Sequence, residues 1–435
     1  MKLSALYTLF QKCHSVTTDS RNCPPGSLFI ALKGESFNGN AFAEKALQAG
    51  CAYALVDEAG YMKEGDPRYI LVDDCLHTLQ ELAHYHRRQL GTRIVGITGT
   101  NGKTTTKELI SAVLCTTYRT LFTQGNLNNH IGVPATLLRL TPEHELAVVE
   151  MGANHPGEIS FLCGIAEPDF GIITNVGKAH LEGFGSLEGV IRTKGELYDF
   201  LRNKGECTVF IHQDNPYLKE MAHGLKQVTY GSREEGCING RITDNSPFLS
   251  FEWKEGKEGK DGEVHQVHTQ LIGEYNFPNA LAAVTIGRFF GVEPSLIDKA
   301  LTEYVPQNNR SQLKQTENNT LIIDAYNANP TSMMAALQNF RHMNVPHKML
   351  LLGDMRELGS ESKAEHQKIV DFIEAHDFEK VWLVGEQFAS TQPAFQTFAN
   401  VQEVIQELAS NKPQGYTILI KGSNGIKLSM VTDYL

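Results

Sequence analysis

Short apolar runs alternate with polar, glycine-rich breaks along this chain, and the rhythm changes twice. Up to about residue 85, LFIAL at 28–32, AYALV at 52–56 and YILV at 69–72 read as short strands divided by turn residues such as Cys23-Pro24-Pro25-Gly26. Residues 76–90 then read as a helix closing on Gly91-Thr92, with a domain boundary in or just after it. From Arg93 the order becomes strand, glycine-rich turn, helix. Strands are expected at 93–97, 146–150, 170–174 and 207–211, and helices at 103–115, 157–164 and 186–201. That alternation predicts a mainly parallel sheet covered by helices on both faces. The charged, glycine-rich stretch 254–263 between FLSFEW and VHQVHTQLIG reads as a solvated hairpin tip. After Tyr304-Val305-Pro306 a second alternating block begins, with strands at 320–323, 348–352, 380–384 and 416–420 and helices near 331–341, 361–376 and 400–410.

The fold class is therefore α/β, in three domains: a small α/β domain at 1–85, a central parallel-sheet domain carrying a phosphate loop at 86–306, and a Rossmann-like domain at 307–435. A chain of 435 residues accommodates three domains of ~100–200 residues each. With 41% hydrophobic and 20% charged residues it is an ordinary globular composition. The net charge of −11 argues against a nucleic-acid or anionic-membrane binder, though not against one basic pocket for a phosphate. Eight scattered cysteines with no CxxC read as reduced thiols. The N-terminus shows no signal-peptide pattern and no run is long enough to span a membrane, so a cytoplasmic protein is expected.

The strongest chemical signal is RIVGITGTNGKTTTKELI, residues 93–110. An apolar strand runs into Gly99, Thr100, Asn101, Gly102, Lys103, Thr104 and Thr105, and a helix follows. Glycines let the backbone turn so that N–H groups converge on phosphate oxygens, and the helix N-terminus adds its positive dipole end. Lys103 would lie against the β- and γ-phosphates of a nucleotide and the Thr104 hydroxyl would complete a Mg²⁺ shell. The strict GxxxxGK[ST] pattern is broken, since Ile97 stands at its first glycine. A glycine-rich turn with a chance lysine is the bland alternative. A GTPase-like switch would want NKxD and DxxG after the loop. The nearest stretches, Asn175-Val176-Gly177-Lys178 and Asp57-Glu58-Ala59-Gly60, have the wrong order and the wrong place.

Further polar groups follow at strand ends, where open α/β sheets bind ligands. Glu150 closes the apolar run Val148-Val149, as a Mg²⁺-binding carboxylate would, or as a buried hydrogen-bonded acid. His180, in NVGKAHLEGFG, is a candidate ligand to a second cation or a turn residue. Lys194 falls on the following helix, where a solvated lysine pairing with Glu188 or Glu196 is the bland reading.

Taken in order, GTNGKTT, VVEMGANHPGEI, NVGKAHLEGFGSLEGVIRTKGEL and DAYNANPTSMMAAL resemble the Mur ligase family over nearly the whole chain. EMGANHPGEI and YNANP favour the branch that joins D-alanyl-D-alanine to a UDP-muramoyl tripeptide. The resemblance implies an ATP-dependent amide ligase of peptidoglycan precursor synthesis, acting through an acyl phosphate, with two Mg²⁺ ions and a carbamylated Lys194. It implies a UDP-sugar-binding pattern in Thr18-Asp19-Ser20-Arg21, and further substrate contacts from Asn126, Asn128, Asn129, Tyr326, Asn327 and Asn329. Asn276 and Asn279 match residues near the adenine, and Arg310 and Asp324 match nucleotide contacts of the third domain. Three positions depart from the family pattern: Tyr275 where histidine is usual, Asn309 for glycine and His130 for an acidic residue. A monomer is expected. The alternatives are a sister ligase adding one amino acid to a muramoyl peptide or glutamate to folate, and a P-loop regulator without ligase activity.

Overall fold

The computed structural model describes residues 2–233, 236–256, 262–307 and 309–435. The chain forms two compact units, one of Met1–Ile97, Tyr118–Gly152 and Ile159–Phe170, the other of Thr98–Thr117, Ala153–Glu158 and Gly171–Leu435.

In the first unit β1 (Val16–Thr17), β2 (Leu28–Ile30), β3 (Tyr53–Val56) and β4 (Tyr69–Leu71) form a four-stranded parallel sheet in that order. Its strands are short and apolar, and Leu28, Phe29 and Ile30 are wholly buried. The helix Cys75–Leu90 starts where Asp74 accepts the His77 N–H at 2.7 Å and stops at Gly91, whose φ of 65° suits glycine. Leu79, Leu82, Ala83 and His86 form its buried stripe, at the three- and four-residue spacing of one helix face. The same unit holds, up to Ile97, β5 (Arg93–Thr98) in a parallel ladder with β6 (Thr120–Phe122) and β7 (Leu146–Glu150), with β7 in the middle. Its register sets Glu150 opposite Ile97.

In the second unit β8 (Phe170–Ile173), β9 (Thr208–His212), β10 (Lys226–Gly231), β11 (Ile238–Asp244), β12 (Phe248–Glu255) and β13 (His265–Ile272) follow one another in the sheet. The strands β9, β10 and β11 run parallel, whereas β11, β12 and β13 are antiparallel. The expectation of a mainly parallel sheet therefore holds up to β11 and gives way to a meander beyond it. Strands β12 and β13 flank the expected hairpin tip, of which residues 257–261 lie outside the described residues.

A second sheet in this unit contains β14 (Gln312–Gln315), β15 (Thr320–Asp324), β16 (Lys348–Gly353), β17 (Lys380–Val384), β18 (Gln396–Phe398) and β19 (Thr417–Lys421). Its order is β14-β15-β19-β16-β17-β18, and only β14 is antiparallel to its neighbour. Both faces are covered. Leu350, Leu352, Leu383 and Leu419 pack on Met333, Leu337 and Phe340. Met349, Leu351, Trp382 and Ile418 pack on Val404 and Leu408. Burial on both faces explains why these strands read as unbroken apolar runs.

Candidate active site

The strand β5 delivers the chain to a loop in which Gly99 (φ 140°) and Gly102 (φ 77°) take left-handed or extended positive-φ backbone. Neither position has room for a side chain. A Cβ on Gly99 would lie 2.1 Å from Thr174 Oγ1, and one on Gly102 2.7 Å from Asn279 Oδ1. The helix Lys103–Leu114 begins with Gly102 as its cap, so no cap side chain competes for the first turn's N–H donors. Lys103 folds its ammonium back onto the carbonyls of Gly99 and Thr100, at 2.8 and 3.0 Å. Thr104 is buried and Thr105 half-buried.

The loop is clamped from one side by the segment after β8. The Thr100 N–H donates to Asn175 O at 2.9 Å, and Asn101 N–H to Asn175 Oδ1 at 3.0 Å. Thr174 Oγ1 and Asn175 Nδ2 donate to the Asn101 carbonyl, at 2.6 and 3.0 Å. Gly177 N–H donates to Thr100 Oγ1. From another side, Asn329 Nδ2 donates to Asn101 Oδ1 at 2.7 Å, and Asn101 Nδ2 returns a weaker bond at 3.4 Å to Asn329 Oδ1. Asn329 also caps the helix Pro330–His342 in a capping box with Ser332. This arrangement fits a triphosphate: a glycine cradle, a lysine and an open helix N-terminus.

Behind the loop runs a buried polar chain. Thr106 Oγ1 donates to Asn279 Oδ1, Asn279 Nδ2 to Asn276 Oδ1, and Asn276 Nδ2 to the Ile272 carbonyl. Asn276 and Asn279 are 3% and 7% exposed, so the structure places them as supports of Gly102 and the helix that follows. Tyr275, where histidine is usual, hydrogen-bonds Ser311 at 3.1 Å, and burial raises its pKa. Asn309, where glycine is usual, has φ 56°, a conformation that asparagine tolerates better than most residues.

Arg310 lies over the Tyr326 ring, 3.9 Å from its centroid. Asp324 receives the buried Lys421 ammonium at 2.5 Å, and Lys421 also reaches the Asn327 carbonyl at 3.4 Å. In the sequence that lysine shows only as the charged end of an apolar strand, the signal of a buried cation that needs a partner.

Lys194 overturns its bland reading. It lies on the helix Leu187–Lys204 but is 1% exposed, with one hydrogen bond, to the Ala153 carbonyl at 3.3 Å, and Phe184 beneath it at 5.0 Å. Burial, then the charge of Lys103, hold its pKa well below the ordinary lysine range. His180 has left-handed backbone (φ 49°) and its Nδ1 meets the carboxylate of Glu357, while its ring stands edge-on to Phe184. That ion pair, led by its hydrogen bond, lowers the Glu357 pKa.

In the first unit, Glu150 is 1% exposed at the end of β7 and accepts the Asn128 amide at 2.8 Å. Asn128 thus orients Glu150. Asn129 Oδ1 accepts the N–H groups of Ile131 and Gly132 and shapes the start of the next helix, and Asn126 O accepts the Asn128 N–H. Arg21 is exposed and forks onto Asp19, which holds that carboxyl near pKa 2, with the half-buried Ser20 between them. The carbonyl of His130, the third departure, accepts the Gln80 amide at 3.0 Å. Among the described residues no three His, Cys, Asp or Glu side chains are grouped to hold a metal.

Three family models match the chain: Mur ligase family, catalytic domain, over residues 12–87; Mur ligase middle domain over 97–287; and Mur ligase, glutamate ligase domain, over 309–424. The chain is 36% identical to the UDP-N-acetylmuramoyl-tripeptide–D-alanyl-D-alanine ligase of Bacillus subtilis, covering 97% of this chain and 93% of that one. The Escherichia coli ligase of the same name is also 36% identical, with the same coverage. Among solved structures, MurF from Acinetobacter baumannii aligns over 99% of this chain and 98% of its own, with TM-score 0.86 and 30% identity. The MurF ligase of Thermotoga maritima in complex with ADP has the same fold, with TM-score 0.84 over 98% of this chain and 97% of its own at 24% identity.

Proposed function

Because the chain belongs to the Mur ligase family, among its UDP-N-acetylmuramoyl-tripeptide–D-alanyl-D-alanine ligases, we propose the following division of labour for its residues. The enzyme is an ATP-dependent ligase that joins D-alanyl-D-alanine to the tripeptide in peptidoglycan synthesis. The observation that carries this is kinship along the whole chain, 36% identity over 97% of it.

An ionised carboxylate is a poor electrophile, so amide formation in water needs activation. Transfer of the γ-phosphoryl of ATP to the tripeptide carboxylate gives an acyl phosphate, which the amine of D-alanyl-D-alanine attacks, releasing phosphate. Bringing a carboxylate to a triphosphate sets anion against anion, at a cost of about 4 kcal/mol per charge pair at ~4 Å and an effective dielectric near 20. Lys103 releases the carbonyls of Gly99 and Thr100 and turns its ammonium to the β- and γ-phosphates, offsetting that repulsion as charge shifts toward the leaving ADP. The N–H groups of the loop and helix start receive phosphate oxygens, and Gly102 keeps the cradle open because Asn279 stands behind it.

Thr104, Glu150, His180 and Lys194 are the residues that would hold two Mg²⁺ ions, which when bound supply positive charge to the transferring phosphoryl group. For Lys194 this requires carbamylation. Its buried amine, whose charged form burial disfavours, attacks CO₂ in the uncharged form and loses a proton, turning a would-be cation into a carboxylate on a long stem. Asn128 holds Glu150 in the orientation it needs. Residues 1–85, through Ser20 and Arg21, bind the UDP end of the substrate, 86–306 bind ATP, and 307–435 close on the nucleotide and the amine. There Arg310 and Asp324 serve the nucleotide and Tyr326, Asn327 and Asn329 the substrates. Asn126 and Asn129 shape the substrate-facing loop after β6. The enzyme works as a cytoplasmic monomer, and among the described residues no helix is long and apolar enough to cross a membrane.

Phosphate release from ATP should require UDP-muramoyl tripeptide and D-alanyl-D-alanine together. Equal turnover with free D-alanine or L-glutamate as the amine would transfer the chain to a sister specificity.

A further inference from the structure

Arg310 stands between two residues of left-handed backbone, Asn309 at φ 56° and Ser311 at φ 48°. Such backbone is strained in residues other than glycine and persists only where the surroundings hold it. Here they do. The Ala325 N–H donates to the Asn309 carbonyl at 3.1 Å. Ser311 is buried, and its Oγ hydrogen-bonds the Tyr275 hydroxyl at 3.1 Å and accepts the Asn276 amide at 3.4 Å. Tyr275 and Asn276 share the single helical turn Glu274–Asn276, and Asn276 accepts the amide of Asn279, which backs Gly102 of the phosphate loop. One turn therefore supports both the loop and the residue that follows Arg310. The Tyr275 ring packs on Gly273, where a Cβ would come within 2.3 Å of it, so only glycine leaves the ring its place. Burial, then the charge of Asp324, raise the Tyr275 pKa, which keeps the hydroxyl protonated at neutral pH.

We propose that Tyr275 is a positioning residue for the ligase reaction: through its bond to Ser311 it fixes the turn that presents Arg310 to the phosphates of ATP. Stacking on Tyr326 engages the face of the guanidinium and leaves its N–H edge for an anion. The aim of that edge is set by the backbone at 309–311, and a loose turn would have to be ordered each time the nucleotide binds. The bond is particular to tyrosine, because the imidazole of the histidine usual at this position ends nearer the backbone than a phenol hydroxyl does. This inference rests on the reading of Arg310 as a nucleotide contact.

The test is phosphate release by the full-length enzyme, with ATP varied at saturating UDP-muramoyl tripeptide and D-alanyl-D-alanine. Tyr275→Phe should lower kcat/KM for ATP about fivefold, the worth of one hydrogen bond. The KM for UDP-muramoyl tripeptide should not move, whereas a general loosening of the fold would raise it too. Ser311→Ala should act alike, and the two substitutions together no more than either alone, since they break one bond. In an Arg310→Ala background Tyr275→Phe should add nothing. An unchanged kcat/KM in Tyr275→Phe, an equal rise in the KM for the UDP substrate, or a full fivefold loss on top of that of Arg310→Ala overturns the proposal. Nuclear magnetic resonance of nucleotide-free, ¹⁵N-arginine-labelled protein gives the second readout, with the Arg310 signal identified by its loss in Arg310→Lys. Its Nε–H should be shifted upfield by the Tyr326 ring and should move back toward the free-arginine position in Tyr275→Phe. A resonance that stays in place overturns the proposal, whatever the kinetics. If Arg310→Ala leaves kcat/KM for ATP unchanged, the nucleotide reading of Arg310 fails and takes the proposal with it. A loss in Arg310→Ala with none in Tyr275→Phe sinks the positioning role alone.

Discussion

Lys103 and Lys194 are both lysines near the proposed phosphate site, yet their surroundings give them opposite tasks. Lys103 is half-buried and donates to the Gly99 and Thr100 carbonyls of its own loop. Lys103→Ala should abolish phosphate release while leaving Tm within a few degrees, since its side chain packs no core; a large fall in Tm would mean that it also holds the loop. Lys194 is buried and its charge is disfavoured. Lys194→Ala should lose most activity, and millimolar acetate or formate should partly restore it by supplying the missing carboxylate. A variant close to the unsubstituted enzyme, or a plain ammonium in density of an active, nucleotide-bound state, sinks the carbamate. The loop residues were legible in the sequence because glycine, lysine and threonine at fixed spacing have few other uses. Burial of Lys194 and the partner of His180 were not, because both depend on residues far along the chain: Ala153 and Phe184 for one, Glu357 for the other.

At the level of elements, the apolar strands β7, β16 and β17 sit where alternation predicted them, because double-sided burial leaves an unbroken apolar signature. The helix Phe277–Phe289 left no such signature. Asn279 to Gly287 are all buried, so it has no polar face and no 3.6-residue period to read. Short strands such as β6 and β18, of three residues each, carry too few positions to show a pattern. Asn329 is an element boundary and a site residue at once, capping the helix Pro330–His342 and bonding Asn101. Asn329→Ala should cost about 1 kcal/mol of stability through the lost cap, read as a lower midpoint in urea. It should also raise the KM for ATP through the loosened loop. A lower midpoint with unchanged KM would leave Asn329 a cap and nothing more.

The whole molecule's response to acid follows from its buried histidines. Burial lowers the pKa values of His86, His212 and His366 in the folded chain. Unfolded, each titrates near ~6.5, so the unfolded chain takes up protons first as the pH drops. Their contribution to stability is complete above ~6.5 and is lost as pH falls through the folded values. Carboxylates held near pKa 2, such as Asp66 and Glu167, add their loss only in stronger acid. Tm should therefore fall between pH 7.5 and 5.5, and a flat or rising Tm over that interval would contradict the assignment. The division into two compact units is the feature the sequence showed least. Its seam passes between Ile97 and Thr98, inside β5, and the chain returns to the first unit at residues 118–152 and 159–170. Pattern reading sees neighbours along the chain, whereas compactness is settled by contacts between distant segments.

The clamp on Asn101 also bears on how the enzyme ages. Asn101 precedes Gly102, and an asparagine followed by glycine is the pair most prone to close a succinimide and deamidate, because nothing shields the attacking nitrogen. Conversion to aspartate here would plant a negative charge in the cradle meant for phosphates. Its amide is engaged by Asn329, and its carbonyl is gripped by Thr174 and Asn175, so the side chain cannot swing freely onto the Gly102 nitrogen. The same bonds that shape the loop thus slow its chemical wear. On storage at warm, mildly alkaline pH, mass spectrometry should find Asn101 intact long after exposed Asn-Gly pairs have turned over, and should find it deamidating sooner once Asn329 is alanine.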